Sequence, residues 1–282
     1  YCDYWPACTH SNGSTACVPM HTTLAALKAY HAKLALNVSL YHLDPFWWSQ
    51  EPFGGCKLGA FAQTLTPSPF HFPDGLGKLQ TPMQLIVKWF TDDNEYKSSY
   101  RFEGNNVGGA DSARFWKAQL TRLVNTAGLK SLVWDGLDFT WMSSDARVNN
   151  THEQDTADAG LADAAFALKL PMRVDTALPS DVLGSGRFGA YTAQRVTADA
   201  NPHDYFEANN WLQYASNAII PASMGVRPML DVLWTNGSAQ FGDPRGKNCS
   251  RKNVRHDLSI AVMSAGPVGF GDLLNGTDQA VL

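Results

Sequence analysis

The stretch SLVWDGLDF, residues 131–139, is an apolar run with two acids near its end, Asp135 and Asp138. Carboxylates are costly to bury without partners, so acids at the end of an apolar strand are candidates for a functional site. Strict pleating places residues three apart on opposite faces, although a bend at Gly136 would bring both acids to the strand end. The alternative for Asp135 is a structural salt bridge or a turn.

Similar short apolar runs recur along the chain, with helical or loop segments between them. The predicted strands are Tyr1–Trp5, Leu36–Asp44, Gln84–Phe90, Ser131–Asp138, Met172–Ala177, Gln194–Thr197, Met229–Trp234 and Pro267–Gly271. Helical spacing of apolar residues predicts helices over Thr22–Leu34, Ser112–Thr126, Asp155–Leu168, Tyr205–Ala218 and Val254–Met263. This alternation predicts an α/β fold, a (β/α)8 barrel in which residues 1–282 form one domain.

Composition narrows the class of protein further. Hydrophobic residues make up 44% of the chain and charged residues 17%, which is typical of a globular core. The net charge of -4 favours neither nucleic acid nor an anionic membrane as a partner. The chain has no run of about 18 apolar residues, so no transmembrane helix is predicted. The chain begins at Tyr1, without an initiator methionine or a signal peptide, as expected of a processed product or a fragment of a longer protein.

Six N-x-[ST] sequons favour a secreted, N-glycosylated protein. They begin at Asn12, Asn37, Asn149, Asn236, Asn248 and Asn275. Asn37 falls where the chain is predicted to enter a buried strand, which would make that sequon unusable. We expect glycans on at least two of the other five, which lie in turn-like surroundings.

The five cysteines are scattered and lack the paired Cys-x-x-Cys motifs of a zinc site. In a secreted chain this pattern favours disulfides, and we expect at least one among Cys2, Cys8, Cys17 and Cys56; Cys249 completes the set. The eight histidines form no metal-binding signature, so no metal or other cofactor is predicted.

One predicted strand runs into a segment that suits a sugar site. LNVSLYHLDPFWW, residues 36–48, ends in Asp44 and the pair Trp47 and Trp48. Sugar sites combine a carboxylate for the hydroxyl groups with an aromatic face for the apolar side of the ring. The alternative is a strand-end cap with core tryptophans, and a lone histidine such as His42 is more often structural.

Two later strand ends also carry polar groups. QRVTADANP, residues 194–202, runs from a short strand with Arg195 into a loop with Asp199, and the arginine can bind sugar hydroxyls or a carboxylate. The alternative is an ordinary surface loop. SAGPVGFGD, residues 264–272, lacks the G-x-G-x-x-G order of a phosphate loop. We interpret it as a last strand where backbones pack closely, with Asp272 as a ligand contact or a cap.

Together these strand ends resemble the clan of α-galactosidases and raffinose-synthase-like proteins, with this chain as a divergent member. YCDYW at residues 1–5 and HLD at residues 42–44 are similar to the clan's first two strands. RVTAD at residues 195–199 is similar to its Arg-x-x-x-Asp motif, and RPMLD at residues 227–231 to its seventh strand. AGPVGFGD at residues 265–272 is similar to its Gly-Gly-Pro-Val-x-x-Ser-Asp ending.

The resemblance implies a (β/α)8 retaining hydrolase or transglycosidase for α-linked sugars in oligo- or polysaccharides. Asp138 inherits the nucleophile's position and Asp199 that of the general acid/base. The predicted sugar-binding residues are Asp44, Trp47, Trp48, Lys88, Asp135, Arg195, Asp231 and Asp272. Gly136 stands where the clan carries the lysine of its Lys-x-Asp motif, so a cation that keeps the nucleophile ionised is missing. The alternative is a catalytically weakened barrel, an extracellular structural or carbohydrate-binding glycoprotein within a larger assembly or with further domains.

Overall fold

The chain adopts an α/β fold in which helices alternate with the strands of a parallel sheet. The computed structural model describes residues 19–43, 47–48, 62–87, 90–135, 151–175, 189–197, 210–230 and 254–269. The strands are β1 (Tyr41–Leu43), β2 (Met83–Val87), β3 (Phe102–Glu103), β4 (Asn106–Val107), β5 (Leu129–Asp135), β6 (Met172–Asp175), β7 (Tyr191–Arg195) and β8 (Arg227–Met229). The α-helices are α1 (Met20–Lys33), α2 (Gly109–Ala127), α3 (Thr151–Ala167), α4 (Asn210–Asn217), α5 (Ile219–Ser223) and α6 (Val254–Met263), and single 3-10 turns span Leu76–Leu79 and Glu95–Ser98.

The main sheet has six strands in the order β1-β2-β5-β6-β7-β8, and every described pair is parallel. Strands β3 and β4 form a separate antiparallel hairpin between β2 and α2. Spatial order follows chain order across the six described strands, without the reversal that marks a doubly wound sheet. All six therefore end at the same edge of the sheet, which we call the carboxyl edge.

One face of the sheet is apolar and packs against helices. Leu85, Leu132 and Met172 lie side by side in the strand register, and all three are buried. Further along β5, Trp134 meets Trp116 of α2 edge to face, with ring centroids 5.9 Å apart. Because alternate residues of a strand point to opposite faces, the residues between these apolar positions lie on the other face.

Helix α2 packs an apolar face against the sheet. Its buried residues recur at helical spacing: Ser112, Phe115, Trp116, Leu120, Leu123 and Ala127. Phe115 lies at the centre of an aromatic cluster in which Phe90 and Tyr96 contact it edge to face. The helix ends at Gly128, whose φ of 66° is left-handed and favours glycine.

Several predicted elements are confirmed, and others differ at their ends. Helix α6 has the predicted bounds, α1 starts two residues earlier and ends one residue earlier than predicted, and α2 extends beyond its predicted bounds by a few residues. Strand β1 is much shorter than predicted, because residues 36–40 are irregular and pairing begins where Tyr41 N–H donates to Pro82 O (3.0 Å). Pro82 precedes β2 and has no N–H to extend the ladder.

The last predicted strand, Pro267–Gly271, is wrong over the residues that the structure describes. Residues 266–269 are irregular, and 270–271 lie outside the described ranges. Pro267 itself has no N–H for a ladder. The predicted close backbone approach is present nonetheless, because a Cβ at Gly266 would overlap the carbonyl oxygen of Pro228 in β8.

Helices α2 and α3 approach so closely that glycine is needed at their contact. A Cβ added at Gly160 would overlap Ser112 Oγ and the backbone nitrogen of Ala113. We therefore expect Gly160→Ala to lower the free energy of unfolding by about 1–3 kcal/mol, even though alanine favours a helix by about 1 kcal/mol. Urea denaturation measures this. Gly189→Ala is the matched control, because a Cβ there meets nothing within 4 Å; equal effects of the two variants would contradict the packing argument.

Candidate functional site

Three charged side chains lie together at the carboxyl edge of the sheet. Asp175, the last residue of β6, contacts Arg173 Nη2 through Oδ2 and Arg195 Nε through Oδ1, both at 2.8 Å. Arg173 is two residues earlier on the same strand, so both side chains leave the same face. Arg195 is the last residue of the neighbouring strand β7. We call these three residues the Asp175 cluster.

The cluster is nearly removed from solvent. The exposed side-chain fractions are 10% for Arg173, 12% for Arg195 and 9% for Asp175. Burial by itself raises the pKa of the Asp175 carboxyl, but the charges of Arg173 and Arg195, a hydrogen bond from Arg173 and the charge of His42 lower it more. The net effect is a pKa well below the ordinary value of 3.8, so Asp175 is an anion at neutral pH.

A second group of polar residues extends across the same face of the sheet, away from the helices. His42 of β1, Gln84 of β2 and Ser131 of β5 are adjacent in the strand register. Hydrogen bonds link His42 Nδ1 to Gln84 Oε1 (3.2 Å), Gln84 Nε2 to Ser131 Oγ (2.8 Å) and Ser131 Oγ to Pro171 O (3.0 Å). We call this chain the His42 relay. The relay and the Asp175 cluster therefore place largely buried polar groups on the same face of the sheet.

Two predicted site residues lie at this cluster. Arg195 binds a carboxylate, one of the two roles predicted for it, and the described partner is Asp175. Asp135 is the last residue of β5, and its backbone lies opposite Asp175 in the register of β5 and β6. The strand ends of β5, β6 and β7 thus bring Asp135, Asp175 and Arg195 to neighbouring positions on the carboxyl edge.

Trp47 and Trp48 are described in the core rather than at an open surface. Both are fully buried. Their rings meet edge to face at 5.5 Å, and Trp47 Nε1 donates to Ile86 O at 2.8 Å. The structure therefore gives both tryptophans a packing role, and their predicted contact with a sugar stays a prediction.

Other predicted positions lie outside the described residues. These are the catalytic pair Asp138 and Asp199, the sugar-binding residues Asp44, Lys88, Asp231 and Asp272, the sequons at Asn12, Asn149, Asn236, Asn248 and Asn275, and all five cysteines. Their roles, and the disulfide, stay predictions. Among the described residues, no three His, Cys, Asp or Glu side chains are grouped as a metal site would require. No described helix is long and apolar enough to span a membrane.

Sequence reasoning missed the pair Arg173 and Asp175. The signal was present in MRVD, residues 172–175, where two charged residues at an i, i+2 spacing interrupt a predicted strand. Charges in an apolar strand need partners, in this strand as in residues 131–139. The partner Arg195 is twenty residues away in sequence and becomes visible only through the pairing of β6 with β7.

The prediction that Asn37 enters a buried strand is wrong. Asn37 is exposed and lies in irregular chain before β1, because Pro82 delays the start of the ladder. Its sequon is therefore accessible, and we expect a glycan on Asn37 when the chain is made in a glycosylating secretory host. Intact-mass analysis should show the loss of one glycan in Asn37→Gln. Ser39→Ala removes the same sequon without touching Asn37, and an unchanged mass in both variants would contradict this.

Comparison with known proteins gives a likeness in structure rather than in sequence. The chain matches no model of a known protein family, and no curated protein matches it. It is similar in structure to the α-N-acetylgalactosaminidase NagBb from Bifidobacterium bifidum, solved as a complex with GalNAc, with a TM-score of 0.52 and 8% sequence identity. The likeness covers 98% of this chain and 46% of the bacterial chain. At this identity it supports a glycosidase-like fold, and the chain spans about half the length of that enzyme.

Proposed function

We propose that this chain is a retaining glycoside hydrolase or transglycosidase that acts on α-linked sugars, built on a (β/α)8 barrel over residues 1–282. The observation that carries the proposal is the Asp175 cluster, a buried charged group at the ends of neighbouring parallel strands. Barrel enzymes bind and convert their substrates at this edge, where loops after several strands meet. Sequential strand order and the likeness to a sugar-processing enzyme support the same conclusion.

The proposed catalytic acids follow β5 and β7, the two strands on either side of β6. Asp138 comes three residues after the end of β5, and Asp199 comes four residues after the end of β7. Strand spacing of about 4.8 Å puts those strand ends about 10 Å apart. Segments of three or four residues reach at most about 10–14 Å, so one sugar above Asp175 is within reach of both acids.

In the proposed mechanism, Asp138 attacks the anomeric carbon and Asp199 protonates the departing oxygen. Asp199 then removes a proton from the incoming water or sugar hydroxyl, which releases the product with its original configuration. A retaining enzyme needs the two carboxyl groups about 5–5.5 Å apart. The guanidinium groups of Arg173 and Arg195 add positive charge at the same edge, which favours an ionised nucleophile.

We further propose that the protein is an extracellular glycoprotein whose partner is an oligo- or polysaccharide. The exposed Asn37 sequon supports this, together with the number of sequons in the chain. A second candidate function is a catalytically weakened barrel that binds carbohydrate. It is favoured by Gly136, which stands where the resembling clan has a lysine.

Aryl α-glycosides of galactose and N-acetylgalactosamine test the proposal. We expect the wild type to release the aryl group and to give first the α-anomer of the sugar, as followed by proton NMR. Asp138→Asn should reduce release to background, and Asp74→Asn, at an exposed acid before β2, should leave it unchanged. Sugar binding without turnover in the wild type would favour the second candidate function, and absence of both would contradict each of them.

A further inference from the structure

Five exposed apolar side chains lie close together in the last part of the described chain. They are Ile219, Ile220, Val262, Met263 and Val268, five of the eight large apolar side chains that are exposed among the described residues. Single exposed apolar residues are ordinary on a protein surface, whereas a group of them on neighbouring elements marks a surface that binds another molecule. We call this group the apolar patch.

A single small core joins the two helices that carry most of the patch. Ala218, the residue before α5, and Ala261 of α6 belong to the same buried apolar cluster. Ile219 and Val262 come directly after these two residues in sequence and are exposed. The patch therefore surrounds the place where α5 and α6 share one core.

The segments that carry the patch contain no charged residue. Residues 210–226 include α4 and α5, and residues 258–269 include the second half of α6; neither range has an Asp, Glu, Lys, Arg or His. Helix α2 shows the contrast, because Arg114 and Lys117 are exposed on its outward face. A surface helix in water usually carries such charges, whereas the centre of a protein–protein interface is depleted of charges and enriched in methionine.

We propose that the apolar patch is the interface of a two-fold homodimer, in which the patch of one copy packs on the same patch of a second copy. In such a dimer the surface meets itself, so a charge near the axis would face a like charge. A patch without charges is complementary to its own copy, whereas it offers nothing to a nucleic acid or to a charged protein surface. None of its five side chains is aromatic, as stacking on a sugar ring would require.

The proposed dimer does not involve the carboxyl edge of either copy. Helix α5 leads directly into β8. Gly266, which follows α6, lies so close to the Pro228 carbonyl near the start of β8 that a Cβ would overlap it. The patch is therefore toward the opposite edge of the sheet, where β8 begins. Dimerisation is accordingly independent of the proposed function, and its test needs no assay of activity.

Light scattering coupled to size-exclusion chromatography tests the dimer. Interfaces of standard size have dissociation constants in the micromolar range or tighter, so the full chain, with any glycans removed, is measured up to about 100 µM. We expect twice the chain mass of 30.8 kDa. A chain that stays monomeric at this concentration, or that grows into open-ended assemblies, would overturn the proposal.

Charges placed in the patch test which surface forms the dimer. Ile219→Glu and Met263→Glu each bury an unpaired carboxylate from both copies, so we expect the dissociation constant to rise at least about 100-fold. Phe166→Glu is the matched control, because Phe166 is 67% exposed and Ile219 69%, but Phe166 lies on α3, which packs against α2. The control should leave the dimer unchanged. A dimer that persisted in both patch variants, or that the control disrupted equally, would show that another surface forms it.

Oxidation of Met263 tests the interface in the wild type, without any substitution. Hydrogen peroxide converts an accessible methionine to its sulfoxide, and Met263 is 87% exposed in the single chain. We expect Met263 to react several times more slowly above the dissociation constant than below it, as followed by peptide mass spectrometry. Met229, buried within the chain, should react at the same rate in both conditions. Equal reactivity of Met263 at both concentrations would overturn the proposal, and equal protection in a monomer would overturn it in favour of a cover from within the chain.

Discussion

Asp175→Asn should lower the free energy of unfolding by about 3–5 kcal/mol, because it removes the charge that compensates two buried guanidinium groups. Asparagine has nearly the same shape as aspartate, so the lost stability results from the missing charge and not from a cavity. Asp175 contacts Arg173 and Arg195 at 2.8 Å, and the three side chains are largely buried, with exposures of 9%, 10% and 12%. Urea denaturation followed by circular dichroism measures the change.

The control makes the same chemical substitution at an exposed ion pair. Asp92 contacts Lys97 at 3.8 Å, with exposed side-chain fractions of 73% and 39%. Solvent screens such pairs, so Asp92→Asn should have little effect on unfolding. If the two variants lost equal stability, burial of the Asp175 cluster would not be the cause.

The effect of Asp175 also has a defined pH dependence. Its folded-state pKa is below the ordinary 3.8, so the unfolded chain binds the proton more readily than the folded chain. The stabilisation from the charged carboxyl is therefore fully present above about pH 4 and is lost as pH falls toward the lower folded-state pKa. The difference between wild type and Asp175→Asn should shrink below about pH 4; a constant difference down to about pH 2 would contradict the low pKa.

Local patterns predicted the elements whose limits are set locally. Helix α2 follows from apolar residues at helical spacing and ends at Gly128, a residue suited to the left-handed conformation. The start of β1 could not be found in this way, because it depends on Pro82, which precedes the neighbouring strand β2.

The candidate site shows the same difference between features that local sequence determines and features that depend on strand pairing. Arg195 could be predicted as a residue that binds sugar hydroxyls or a carboxylate, because its guanidinium offers planar donors beside a loop with an acid, but the partner could not be chosen among the many acids of the chain. Asp175 becomes the partner only when β6 pairs with β7 in register. The His42 relay is still less visible in sequence, because its members come from three strands and its last acceptor is a backbone carbonyl.

Asp199→Asn should lower kcat/KM by about 10²–10⁴-fold for substrates with poor leaving groups and much less for activated aryl glycosides. A methyl or sugar alkoxide cannot depart without a proton, whereas an activated phenolate leaves unaided. Rates for a series of α-glycosides, plotted against the pKa of the leaving group, should give a steeper dependence in the variant. Equal losses across the series would contradict the assignment of Asp199 as the general acid.

The second step provides an independent test of the same residue. Without Asp199, water lacks a base to remove its proton, so the glycosyl-enzyme intermediate should accumulate and release of an activated phenol should show a burst. Azide carries no proton to lose and should restore turnover of Asp199→Asn, giving a glycosyl azide of retained configuration. Asp138→Asn should show neither a burst nor this retained product, because no intermediate forms. A similar azide response in both variants would show that the two acids do not have separate roles.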